Sequence, residues 1–131
     1  MLLALVAPAS AQPAAGFRSQ IEPLSAQLRH RMTGVSWRPG CPVGLSELRL
    51  VTVTRWDFAG RERRGTLIVN RAQAPAITKA MGLLYRLHYP IRRMQPVDAY
   101  GGSDSRSIDA DNTSAFNCRA ATGSTHWSEH A

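Results

Sequence analysis

Two β-branched, apolar runs flank a polar stretch bounded by glycines: Leu48 to Phe58, then Ala59-Gly60-Arg61-Glu62-Arg63-Arg64-Gly65, then Thr66-Leu67-Ile68-Val69. No other part of the chain constrains its fold as much. Side chains alternate across an extended strand, so the first run sets Val51 and Val53 on one face and Leu48, Leu50 and Trp56 on the other. It reads as a strand with apolar groups on both sides, joined to the second run as a hairpin with a longer loop.

A helix follows. Asn70 can cap it, Pro75 suits its first turn, and Ile77, Ala80, Met81, Leu84 and Tyr85 recur at helical spacing, which predicts a helix over 73–88 closed by Pro90. Ile91 to Val97 reads as a strand, Tyr100 to Ser105 as a loop, Ser114 to Ala121 as a short strand, and the tail after Gly123 as loop. Ahead of the hairpin, residues 12–39 mix prolines and glycines with a short amphipathic run. They read as a linker or N-terminal segment with one helical piece from Pro23, then a turn at Arg38-Pro39-Gly40. The order of elements predicts an α+β domain, a small antiparallel sheet with one main helix, rather than a parallel doubly wound fold.

The chain has 131 residues, enough for one domain with a true core. Hydrophobic residues make up 44% and charged residues 19%, which argues against general disorder. Lys and Arg number 16 against 9 acids, for a net charge of +7, and this favours an anionic environment: nucleic acid, a membrane surface or an acidic cell wall. The arginines are scattered, without the stripe interleaved with aromatics that marks a nucleic-acid footprint, so no specific nucleic acid is expected.

Residues 1–11 are apolar and end in Ala9-Ser10-Ala11, a small-x-small site of the kind signal peptidase cuts. A secretory signal, or an alanine-rich tail in its place, is the reading. The run is too short to span a bilayer, so no transmembrane segment is expected in the mature chain. Cys41 and Cys118 are far apart and form no metal-thiolate spacing. One long-range disulfide fits an exported protein, and two buried thiols are the alternative.

Several blocks resemble a known family: Gly40-Cys41-Pro42-Val43, Tyr89-Pro90-Ile91-Arg92-Arg93-Met94, Pro96-Val97-Asp98-Ala99-Tyr100-Gly101, the run from Asp111 to Arg119, and Trp127-Ser128-Glu129-His130. Residues 40–131 are similar to the N-terminal portion of the zinc D-alanyl-D-alanine carboxypeptidase family, with its hedgehog/D-Ala-D-Ala peptidase fold, in an extracellular actinobacterial-type branch. The resemblance implies a secreted or cell-envelope zinc peptidase acting on peptidoglycan stem peptides or cross-links. His130, in the Ser-x-His step, is then the first zinc ligand. Arg119 lies beside the scissile carbonyl, where a guanidinium stabilises the developing oxyanion, and Ser128 orients substrate or the ligand.

The second ligand Asp, the acidic base and the last His of that family have no counterpart here. A fragment that is inactive by itself is therefore expected, because a catalytic zinc uses three protein ligands plus water. A noncatalytic basic wall-binding domain or a degenerate remnant is the alternative. His126-Trp127-Ser128-Glu129-His130 also matches the His-x-x-Glu-His pattern of inverted zincins, which requires a helix that this glycine-preceded stretch does not favour. Arg119 has a structural alternative too, an ion pair with Asp109 or Asp111. Asp111, Asn112, Thr113 and Ser114 read as loop support, and Glu129 points away from Ser128 and His130 if the tail is extended.

Overall fold

The computed structural model describes residues 16–131, so the signal-peptide reading of residues 1–11 lies outside the described residues. The chain runs through β1 (Ser19–Pro23), α1 (Ala26–Met32), a 3-10 turn (Leu45–Glu47), β2 (Leu48–Trp56), β3 (Glu62–Asn70) and α2 (Ala74–Arg86). It continues through β4 (Arg93–Met94), a second 3-10 turn (Val97–Tyr100), α3 (Asp104–Asp109) and β5 (Asn112–Thr113). Strands β1, β2 and β3 form one antiparallel sheet in that order, while β4 and β5 pair in parallel as a separate ribbon. The fold is mixed α+β, and α2 is the longest of the three α-helices among the described residues.

The register of the hairpin decides how the core divides. Leu50 lies opposite Ile68, and Val51 lies opposite Leu67, so each face of the sheet carries matched apolar pairs. On one face Leu48 and Ile68 pack with Leu24, Leu28, Met32, Phe116 and Cys118. On the other, Val51, Val53, Leu67 and Val69 pack with Ala74, Ile91 and Met94, over which α2 lays Ile77, Met81 and Leu84. The two-sided apolar strand is thus covered on both sides, by α1 and the C-terminal segment on one and by α2 on the other. Each fully buried Val or Leu contributes about 1.5–3 kcal/mol.

Helix α1 forms because Leu24, Leu28 and Met32 recur at four-residue spacing and Ser25 Oγ accepts the Leu28 N–H at 3.2 Å, capping the first turn. The stretch 12–39 therefore contributes a strand and a core helix from Ser19 onward. Strand β1 has no legible apolar alternation, since all five of its residues are exposed; backbone pairing to β2 is what holds it. Helix α2 starts after an Asx turn in which Asn70 Oδ1 accepts the Ala72 N–H at 2.9 Å.

The span Ile91 to Val97 is strand only at Arg93–Met94. It rides directly on β3: a Cβ built on Gly65 would fall 2.6 Å from Met94 Sδ and 2.8 Å from Met94 Cβ. Helix α3 begins inside the stretch read as loop, at Asp104 and Ser105, and is capped by Ser103 Oγ, which accepts the Arg106 N–H at 3.3 Å. Ser114 to Ala121 forms no strand of the sheet, and its backbone bonds instead to the chain's last residues and to Ser36.

Cys41 and Cys118 form a disulfide across a sequence separation of 77 residues, and Cys118 is fully buried in the first core. The bridge ties the loop before β2 to the C-terminal segment. In the chain-entropy model a bridge of that span stabilises by about 4 kcal/mol. Reduction should therefore lower the urea midpoint by the equivalent of several kcal/mol, read as unfolding curves with and without reductant. An unchanged midpoint would show that the bridge does not restrain the unfolded chain.

Candidate active site

The C-terminal block is a narrow antiparallel loop stitched by its backbone. The Asn117 N–H donates to His130 C=O at 2.8 Å, Ser128 N–H to Arg119 C=O at 2.9 Å, and Ala121 N–H to His126 C=O at 2.8 Å. Main-chain bonds thus join Asn117 to His130 and Arg119 to Ser128. The Cys118 N–H donates to Ser36 C=O at 2.8 Å, which together with the disulfide fixes the block against the sheet.

His130 and Arg119 both line one cleft of about 250 Å³, with Asp104, Ser107, Asn112 and Asn117. The His130 ring places Nδ1 2.8 Å from Ala115 C=O. A carbonyl only accepts, so Nδ1 carries the hydrogen, and Nε2 is the nitrogen that offers a lone pair whenever the ring is neutral. Zinc-ligating histidines are oriented in the same way, by donating their other ring N–H to a carbonyl or carboxylate.

Arg119 is held by Asp104, in the first turn of α3. Its Nε donates to Asp104 Oδ2, and one terminal nitrogen donates to Ala120 C=O at 3.0 Å, leaving the other terminal nitrogen without a partner among the described residues. Asp104 Oδ1 accepts from the buried Asn117 amide at 3.0 Å, and that amide also donates to Gly102 C=O at 3.1 Å. The ion-pair partner is thus Asp104, not Asp109 or Asp111. Sequence reasoning missed Asp104 because it sits in the span read as loop, although Ser103-Asp104 at a helix start was the available signal.

Asn112, read as loop support, lies in β5 and lines the cleft. Its amide donates to Gln95 C=O at 2.9 Å and to Ser107 Oγ at 3.0 Å, while its oxygen accepts the Gln95 N–H at 3.1 Å. Ser128 Oγ accepts the His130 N–H at 3.2 Å, so this hydroxyl positions the histidine backbone. Ser128 is not among the residues lining the cleft.

No helix spans residues 126–130. A bend at 124–126 and a turn over 128–131, closed by the Ala131 N–H on Ser128 C=O at 2.9 Å, stand where an inverted zincin requires a helical turn to bring both histidines onto one ion. Among the described residues no group of three His, Cys, Asp or Glu gathers around a common point, and both oxygens of Asp104 are already engaged. The residues present therefore fit one ligand position of a zinc ion, at His130 Nε2, and no more. Comparison with protein-family models, with curated proteins and with solved structures gives no match.

The half-exposed Arg119–Asp104 pair is worth little as an ion pair in solvent, whereas the buried Asn117 amide depends on Asp104. Asp104→Ala should cost about 1–2 kcal/mol and Asp104→Asn about half of that, since an amide oxygen still accepts from Asn117. Equal urea midpoints for the two variants and the parent chain would contradict this ordering.

Proposed function

We propose that this chain is the N-terminal part of a secreted zinc-dependent peptidase that hydrolyses peptidoglycan stem peptides or cross-links, of the D-alanyl-D-alanine carboxypeptidase type. One observation carries the reading: His130, oriented through Nδ1 by Ala115 C=O, shares a cleft with Arg119. The disulfide and the lack, among the described residues, of any helix long and apolar enough to cross a membrane are compatible with an extracellular protein.

A zinc ion with His130 as one of its ligands would supply Lewis-acid activation of water and carbonyl. This chain's own residues would orient the ligand and polarise the substrate. Ala115 C=O fixes the tautomer of His130, Asp104 fixes the guanidinium plane of Arg119, and the unengaged nitrogen of Arg119 is the donor for a developing oxyanion. A second reading, a noncatalytic domain that binds wall material, is favoured by the net charge of +7.

The test is an extended protein that also carries the family's second ligand, base and last His, assayed on purified stem peptides. Arg119→Ala should lower kcat by about 100-fold or more with zinc content unchanged. His130→Ala should abolish both zinc and activity. Intact stem peptides after incubation with the zinc-loaded protein, combined with salt-sensitive binding to whole sacculi, would overturn the peptidase reading in favour of wall binding.

A further inference from the structure

The turn end of the hairpin carries large apolar side chains that stay more than half exposed. Phe58 in the β2–β3 turn is 61% exposed, Leu87 after α2 is 67% exposed and Tyr89 is 57% exposed. They belong to one patch. Arg92 lies over the Phe58 ring at 5.9 Å, Pro90 forms a bridge with Trp56, and Trp56 stacks on His88 at 4.6 Å and on Tyr85 at 5.2 Å. The Trp56–Tyr85–His88 stack thus ties together the segments that carry Phe58, Leu87 and Tyr89.

Arginines are close by along the chain: Arg61 and Arg63 at the hairpin turn, and Arg92, which lies against the Phe58 ring. The acids of the patch are engaged. Asp57 accepts the backbone N–H groups of Ala59 and Arg61, each at 2.9 Å, and pairs with Arg63 at 3.0 Å. The Arg61 N–H, first among these contacts, holds the Asp57 carboxyl below the usual carboxylate range. Glu62 accepts the Tyr85 hydroxyl proton. The patch therefore meets its surroundings with positive charge and bare apolar surface together.

We infer that this tip docks on an anionic lipid surface, with Phe58, Leu87 and Tyr89 entering the headgroup boundary and Arg61 and Arg92 meeting lipid phosphates. Charge complementarity selects the anionic partner, and the apolar residues select a bilayer over a soluble polyanion. A hydrated acidic polymer offers no phase for three large side chains that are more than half exposed, whereas a bilayer interface offers both an apolar boundary and a charged layer. The inference is independent of the peptidase reading, because the tip shares no residue with the His130 cleft.

The test is co-sedimentation of the whole chain with phosphatidylcholine vesicles, with and without phosphatidylglycerol, at low and high salt. Binding to the anionic vesicles alone, weakened by salt, is expected. The doubly substituted Leu87→Ser, Tyr89→Ser chain should partition about tenfold less, as should Arg92→Glu. All three positions are exposed, so circular dichroism should show an unchanged fold, and a chain that fails that check is replaced by Phe58→Ser. Three outcomes overturn the inference: no vesicle binding, equal binding to both vesicle types, or anionic binding that the apolar substitutions leave unchanged. The last would assign the face to soluble polyanions. A concentration-dependent dimer lost on Leu87→Ser, without vesicle binding, would assign it to a second copy of the chain.

Discussion

Everything in this domain is arranged around a hairpin that needs cover on both faces. Val51 and Leu67 point one way and Leu50 and Ile68 the other, so one helix cannot bury the sheet. Helix α2 covers one face. The opposite face takes α1 together with Phe116 and Cys118, and this draws the C-terminal segment back across the molecule. The disulfide from Cys118 to Cys41 makes that return covalent. Arg119 and His130 are placed where they are because Phe116 and Cys118 are core.

The candidate site follows from that anchoring. Once Cys118 is fixed, its neighbours Asn117 and Arg119 project to the other side of the segment, towards Asp104 on α3. The returning tail pairs with them, Ser128 against Arg119 and His130 against Asn117. Short helix α3 therefore matters beyond its six residues. Its first-turn carboxylate binds both a buried amide and a guanidinium, and so sets the plane of Arg119. Structural and chemical roles meet in Asp104 without the carboxylate being free to act as a ligand itself.

Much of this was legible in the residues. The alternation in β2 and β3, the helical spacing of Ile77, Met81 and Leu84, and the pairing of Cys41 with Cys118 are all patterns of burial that sequence expresses directly. Strand β1 was not legible, because an edge strand with every residue exposed is held by main-chain bonds to which side chains add no signature. Helix α3 was hidden for a related reason: six residues are too few for periodicity to show. The tail was read as loop, and it is irregular by side-chain pattern, yet its backbone pairing with residues 117–121 is what brings His130 to Arg119. Only Ser103 before Asp104 announced a helix start, and only in retrospect did it name the partner of Arg119.

The claim on which the functional reading rests is that the backbone orients His130 before any ligand arrives. Long-range nitrogen–proton correlation spectra of the imidazole, recorded on the metal-free chain above the pH at which the ring becomes neutral, report it directly. Donation to Ala115 C=O requires the Nδ1–H tautomer with Nε2 unprotonated, and Ala131 and Ser128 backbone amides protected alongside it. An Nε2–H tautomer, or the fast mixture typical of a free exposed histidine, would contradict the account, because the ring would then not be held towards the cleft it shares with Arg119.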